Sequence, residues 1–312
     1  MMKVSVIIPC FNVESYIENC LQSVVSQTHQ NIEIICVNDG SSDDTSTIIK
    51  RFQKHSNFNL QLLNQPNRGA GFSRNIGLKL AKGAYIQFLD ADDSLHPKKI
   101  EHQINLIDSK KEKPSFLVGD YVLKSSTGEK VIRAYEKRPF LALVSKNLGI
   151  TSANLWNKKA MMMVNGFNQD LQSTQEYDLM FRLLKAGGDV LFDPLLLTYK
   201  INRLTDSITS QNQKENRIRF ICLQLRVLDY LNRDGNLDPE VKNYIYHKIL
   251  YDIRLLYDLD PEKSYQLYQE HIPSSLKLKE TPEISKKYVK AYTLFGYQTT
   301  QKVWGLYHKL FR

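Results

Sequence analysis

Four short apolar runs dominate the first ninety residues. Each is cut off by a turn-forming or acidic residue, and each is separated from the next by a stretch of helical period. Val4-Ser-Val-Ile-Ile8 stops at Pro9, and Ile32 to Val37 stops at Asn38-Asp39-Gly40. Leu60 to Leu63 forms a third run, and Tyr85 to Leu89 lies between Gly83 and the carboxylates Asp90, Asp92 and Asp93. Between them, Ile17, Cys20, Leu21, Val24 and Val25 recur at i, i+3, i+4, i+7 and i+8. Asp43-Asp44 open a second helical stretch carrying Ile48, Ile49 and Phe52, and Gly69-Ala-Gly71 leads into a third with Ile76 and Leu80. Near-continuous apolar strands alternating with amphipathic helices predict an α/β fold, a parallel sheet covered on both faces. In such sheets ligands bind outside the carboxyl ends of the strands, where Pro9 to Asn12, Asn38 to Ser41 and Asp90 to Asp93 all fall.

The middle of the chain is less regular. Phe116 to Leu123 and Lys130 to Ala134 predict a hairpin, Leu179, Leu183 and Leu184 a helix, and Asp189 to Tyr199 a further strand, so antiparallel strands join the sheet. After Ser210 the pattern is helical, with Ile218, Ile221, Cys222, Leu225 and Leu228 on one face. A boundary near Ser207 to Gln213 predicts one domain over 1–210 and a helical C-terminal region over 211–312. The net charge of +9 is concentrated at the end: between Lys277 and Arg312 eight lysines and arginines face two glutamates. Such a tail suits an anionic membrane surface, nucleic acid or plain solvation. The 17 tyrosines are too dispersed to signal base stacking, which argues against nucleic acid. Cys10, Cys20 and Cys36 sit in apolar runs without pairing spacing, no run approaches the ~18 residues of a membrane span, and only Met1-Met-Lys3 precedes the first strand. These features predict a cytoplasmic protein.

Four motifs each admit two readings. Asp90-Ala91-Asp92-Asp93 is a solvated turn or a carboxylate cluster for Mg2+ or Mn2+ with phosphate as co-ligand. Asp39 belongs to a capped turn or accepts hydrogen bonds from a base or ribose. Arg68, Gly69 and Arg74 form a basic loop or a phosphate cradle; Arg74 stands where a third glycine would complete a dinucleotide fingerprint. Glu176 and Asp178 are first-turn acids favoured by the helix dipole, or one of them is a general base; at i and i+2 they point apart. The seven histidines show no metal-ligand spacing, and neither a GxSxG elbow nor a P-loop occurs.

Taken in order, Val4 to Glu14, Val37 to Asp43, Asn67 to Gly77, Ala84 to Asp93, Trp156-Asn-Lys158, Asn165-Gly-Phe167 and Gln175 to Leu179 resemble a bacterial family-2 glycosyltransferase of the GT-A fold. The resemblance covers residues 3 to 210. It implies that Pro9, Phe11, Asn12, Glu14 and Asp39 surround the nucleotide, with Arg68, Gly69 and Arg74 nearby. It implies that Asp90 and Asp92, flanking Ala91, are the DxD pair for ribose and for a diphosphate-bound Mn2+ or Mg2+. Asp93 is a weaker candidate ligand. Glu176 falls at the catalytic base, with Asp178 as second choice, and Gln175 replaces the first acid of the usual pair. The histidine that many relatives carry after the last strand is missing from Ile201-Asn202-Arg203. Trp156 and Lys158 are expected on the acceptor side.

The activity so implied is inverting transfer of a hexose or N-acetylhexosamine from a UDP-sugar to a glycan acceptor, lipid-linked, in capsule or lipopolysaccharide assembly. Peripheral inner-membrane contact through the basic tail, and a homo-oligomer, fit that setting. Two alternatives compete. A sugar-phosphate nucleotidyltransferase calls for a Gly-rich loop where this chain has Pro9-Cys-Phe-Asn12, and an inactive glycan- or nucleotide-binding scaffold would have lost Asp39, Asp90, Asp92 and Glu176.

Overall fold

A computed structural model describes residues 1–55, 58–134, 138–201, 212–233, 235 and 237–310. The chain divides into two compact units, Met1–Asp206 and Ser207–Arg312. The boundary expected at Ser207 to Gln213 lies largely outside the described residues.

In the first unit β1 (Val4–Cys10), α1 (Ile17–Val25), β2 (Ile32–Asp39), α2 (Thr45–His55), β3 (Leu60–Gln65), α3 (Ala70–Leu80) and β4 (Tyr85–Phe88) alternate as expected. Then come β5 (Ser94–Leu95), α4 (Lys99–Asp108), β6 (Phe116–Gly119), β7 (Tyr121–Ser125), β8 (Gly128–Ile132), α5 (Pro139–Val144) and β9 (Leu155–Asn157). α6 (Lys158–Met163), α7 (Gln175–Lys185), β10 (Val190–Asp193) and β11 (Thr198–Ile201) complete the unit. Seven strands form one sheet in the order β10-β6-β9-β4-β1-β2-β3, and β5-β11-β7-β8 form a second. β1, β2, β3 and β4 pair in parallel, while β9 runs antiparallel to both β4 and β6. Val4, Val6, Ile7 and Ile8 are all fully buried, which is why β1 reads as a continuous apolar run. Each such side chain contributes roughly 1.5–3 kcal/mol by leaving water.

Three details depart from the sequence reading. Pro9 lies inside β1, opposite Val37. Ile7 accepts from Leu89 N on the β4 side, so the N–H that Pro9 lacks would face the same side two residues on, where pairing with β4 has already stopped. The runs 116–123 and 189–199 each break into two strands that belong to different sheets, at Asp120 and Pro194. Asp120 is 4% exposed and accepts from Arg133 Nη1 (2.9 Å) and Ala134 N (2.7 Å), and its own amide donates to Asp193 O at 3.1 Å. The two breaks are bonded to each other, and there the chain steps from the large sheet to the small one.

The second unit contains α8 (Gln213–Leu231), α9 (Pro239–Tyr257), α10 (Pro261–His271) and α11 (Lys286–Leu310). Asp238 and Asp260 cap α9 and α10, each followed by a proline whose missing N–H costs nothing at a helix start. α11 is broken at Gly296, with φ 71°. Tyr268 stacks on Tyr297 at 4.2 Å and shares a 2.7 Å hydrogen bond with Tyr292, while Trp304 meets Tyr288 edge-on at 5.4 Å. Tyr292 and Trp304 therefore serve internal packing rather than an outer face. Leu294, Phe295 and Val303 are the exposed large apolar residues of this helix among the described side chains; those of Leu306, Tyr307, Leu310 and Phe311 lie outside them. No helix among the described residues is long and apolar enough to cross a membrane.

Candidate active site

Asp90 to Asp93 is a turn, closed by Asp93 N donating to Asp90 O at 2.9 Å. It carries the chain from the end of β4 in the large sheet to β5 in the small one. The turn and the acid cluster are thus the same object. Asp90 N donates to Ser152 Oγ at 3.1 Å, and Ala91 is 4% exposed, anchoring the turn between its carboxylates. Arg74, on α3 and 8% exposed, pairs with Asp90 at 2.7 Å. Its other terminal nitrogen donates to Gln175 Oε1 at 3.2 Å. Gln175 opens α7, so Arg74 ties the end of β4 to the helix start that bears Glu176. A Cβ on Gly71 would come within 2.8 Å of Gln175 Nε2, so a larger residue there displaces the Gln175 amide that Arg74 bonds.

Thr174, immediately before α7, holds φ 64° and ψ 14°, a left-handed conformation that costs a β-branched residue roughly 1–3 kcal/mol. The strain sits two residues before Glu176, which is half-buried. Burial, then Glu176, then Tyr121 raise the Tyr177 phenol above its ordinary value. Burial also raises Tyr121, where Lys200 opposes Asp93 and Glu176. Asp93 is 2% exposed. Burial pushes its carboxyl up to about 7, Lys200 pulls it down, and Asp90 and Asp92 push it further up. Glu176, the aspartate turn, Lys200 and the two tyrosines therefore act on one another as a single charged neighbourhood.

The loops at the ends of β1 and β2 brace each other. Asn12, at φ 49°, accepts from Ser42 N and donates its own amide to Ser41 Oγ. Glu14 accepts from Asp44 N, and its amide donates to Asp43. Asp39, 3% exposed, accepts from Gln65 Nε2 (2.7 Å), Arg68 N (2.9 Å) and Gly69 N (2.7 Å). Phe11, at the tip of β1 beyond Pro9, is 49% exposed, and the Arg68 guanidinium lies 3.5 Å over the Phe72 ring.

Several expected roles change accordingly. Asp39 spends three acceptor positions on holding the 65–69 loop, which leaves it one Oδ2 lone pair for a nucleotide. Glu14 serves the start of α2, and Arg74 serves Asp90 and Gln175 rather than a phosphate. Asp178 is 2% exposed and ion-paired with Arg182 at 2.8 Å, so it is not placed to act as a base. Trp156 and Lys158 do not shape an acceptor side. Trp156 is fully buried and stacked on Phe116 at 5.3 Å. Lys158 N bonds Ala84 O, and its ammonium bonds Ala81 O, at the amino end of β4, opposite the aspartate turn. Their neighbourhood in sequence reflects β9, whose antiparallel course carries the chain away from the carboxyl ends. Lys200, Tyr121 and Ser152 escaped the sequence reading, because only strand pairing over long separations brings them to Asp93.

The residues fit the divalent cation that the resemblance implies. Asp90 and Asp92 are hard oxygen donors beside the buried Asp93 Oδ2, which has no hydrogen-bond partner. Among the described residues no group of three or more His, Cys, Asp or Glu side chains is arranged to hold a metal.

A mixed sheet with parallel β3-β2-β1-β4 at one side, an acidic turn at the end of β4, and helices following defines a GT-A nucleotide-sugar transferase fold. Two solved structures share it. S. aureus TarS 1–349 in complex with UDP-GlcNAc has a TM-score of 0.63 at 18% identity, over 98% of this chain and 92% of that one. The mannosyltransferase PcManGT from Pyrobaculum calidifontis, in complex with GDP-Man and Mn2+, has 0.58 at 16%, over 96% and 84%. The profile of glycosyl transferase family 2 matches residues 5–170, and the chain belongs to that family. An uncharacterized glycosyltransferase of Rickettsia bellii is 33% identical over 235 residues, which is 71% of this chain. The chain spans about a third of that relative's length.

Proposed function

We propose that the protein transfers a hexose or N-acetylhexosamine from a nucleotide sugar, UDP foremost, to a hydroxyl of a glycan acceptor with inversion. The observation that carries this reading is the Asp90–Arg74–Gln175 chain, which ties the aspartate turn to the helix start bearing Glu176. Phe11 offers an exposed ring for a base at the end of β1, and the remaining Asp39 lone pair accepts from it. Glu176 takes the proton from the acceptor hydroxyl. The freed oxygen forms its bond to the anomeric carbon from the face opposite the diphosphate, whose oxygen departs with the bonding pair. Asp90 and Asp92 hold Mn2+ or Mg2+, whose contribution when bound is to offset charge on the departing diphosphate.

Transfer from a panel of UDP- and GDP-sugars in the presence of Mn2+ tests the reading. Glu176→Gln is expected to lose roughly 10²–10⁴-fold in kcat with unchanged melting temperature. Equal turnover by wild type, Glu176→Gln and Asp92→Asn refutes it.

The acceptor we propose is a lipid-linked cell-surface glycan, reached from the inner face of the membrane, by a monomer or a homo-oligomer. Leu294 and Phe295 stand exposed on α11 among Lys287, Lys290 and Lys302, an apolar pair within a basic surface. Cosedimentation with anionic vesicles is expected for wild type and lost in Leu294→Ser/Phe295→Ser; equal sedimentation of the two rejects the membrane contact.

A further inference from the structure

β11 and β5 pair antiparallel, with Thr198 opposite Leu95 and Tyr199 opposite Ser94. Continuing that register by one place sets Lys200 opposite Asp93, and directly opposed residues of an antiparallel pair project to the same face. The amide of Ile201 donates to Asp93 Oδ1 at 3.1 Å and closes this end of the ladder, while Asp93 Oδ2 is buried without a hydrogen-bond partner. The Lys200 ammonium stands in the combined field of Asp93, Asp90, Asp92 and Glu176. Burial alone would lower its pKa, yet these carboxylates hold it above the ordinary lysine value. Of these carboxylates Asp93 acts on it most, followed by Asp90, Asp92 and Glu176.

We propose that Lys200 is the resident counter-cation of the buried Asp93 end of the turn, alongside Arg74 on Asp90, and that it makes binding of a divalent cation there depend on a nucleoside diphosphate. The inference rests on the reading of this turn as the donor site. Without diphosphate, the ammonium offsets the carboxylates and repels an incoming divalent cation, for which the described residues alone supply too few ligands. A diphosphate brings several negative charges. It takes the ammonium as a partner and supplies the missing oxygen ligands, so nucleotide and cation enter together. Lys200 thereby also contributes directly to holding the diphosphate, as a point charge.

The test measures free Mn2+ by electron paramagnetic resonance in titrations of the full chain, with and without UDP or GDP, alongside calorimetry of each nucleotide in the absence of metal. Wild type is expected to bind Mn2+ at least tenfold more tightly with the nucleotide than without it. Lys200→Gln is expected to bind Mn2+ alone at least tenfold more tightly than wild type and to lose at least tenfold in metal-free nucleotide affinity. Lys200→Arg retains the wild-type pattern. A purely structural role would lower the melting temperature of Lys200→Gln and leave its Mn2+ affinity unchanged, which overturns the proposal. Wild type that binds Mn2+ equally well with and without nucleotide overturns it without any variant. If neither nucleotide binds even with Mn2+, the donor-site reading fails, and this proposal with it.

Discussion

Two buried carboxylates sit at opposite ends of the same sheet, and they are treated in opposite ways. Glu33, on β2, is 1% exposed. It accepts from Ser5 Oγ (2.5 Å), Lys82 N (2.6 Å) and Gly83 N (3.2 Å), and it faces the Lys3 ammonium at 3.2 Å. Burial pushes its pKa up, but Ser5, the Lys82 amide and Lys3 outweigh burial and hold it below the usual carboxylate range. Asp93, as buried, has one oxygen without a partner, two like charges as neighbours, and a pKa near 7. At the amino end Oε1 accepts all three hydrogen bonds and Oε2, buried without a hydrogen-bond partner, faces the Lys3 ammonium, so the charge ties strands and turns together. At the carboxyl end like charges crowd around Asp93 and are answered by Arg74 on Asp90 and by Lys200, so burial and repulsion still hold the Asp93 carboxyl up.

The contrast breaks first at Glu33. Glu33→Gln is expected to cost on the order of 3 kcal/mol in denaturant unfolding, because it strips the charge from a network built around it, with kcat unchanged in the folded fraction. A loss of activity without loss of stability would erase the distinction between the two ends.

Lys99, at the start of α4 and reaching Gln87 of β4, sharpens it. Lys99 is fully buried and donates to Gln87 Oε1; burial lowers its pKa to about 7, with Asp193 opposing. A folded pKa below the unfolded value near 10.5 means the native state binds fewer protons between those limits. Stability therefore rises with pH across that window, and the cost of the buried charge is fully present below pH 7. Between pH 7 and pH 9 the gain is about 2 kcal/mol for wild type relative to Lys99→Met, read from guanidinium unfolding at the two pH values. Parallel pH profiles for the two proteins contradict the assignment.

The smallest effect on stability belongs to Asp93→Asn. Since Asn keeps an acceptor for Ile201 N and removes a poorly compensated charge, unfolding at pH 8 is expected to shift by less than about 1 kcal/mol, in either direction. A loss comparable to that of Glu33→Gln would make Asp93 a structural anchor like its counterpart.

Much of this was legible along the chain, for a local reason. The strands β1, β2 and β4 are buried on both faces, so their apolar runs follow directly from what a parallel sheet can bury. Motif order carried the family. Other expectations failed where partners are distant in sequence. Trp156 and Lys158 were expected on the acceptor side because their own neighbours say nothing of β9 turning antiparallel between β4 and β6. Arg74 looked like a phosphate ligand, since nothing near it announces Gln175, 101 residues on. Asp178 was separated from Glu176 by helical geometry alone, but only packing shows which of the two is buried against Arg182.

Periodicity and turn chemistry thus decided the α/β class, the strand ends at which a ligand binds and the carboxylates available there, because each depends on residues within a few positions of one another. Which carboxylates are paired and which lysine answers them depended on long-range couplings such as Lys200 with Asp93 and Arg74 with Asp90. Those couplings follow from strand order and from the crossing between two sheets, and no local pattern encodes either.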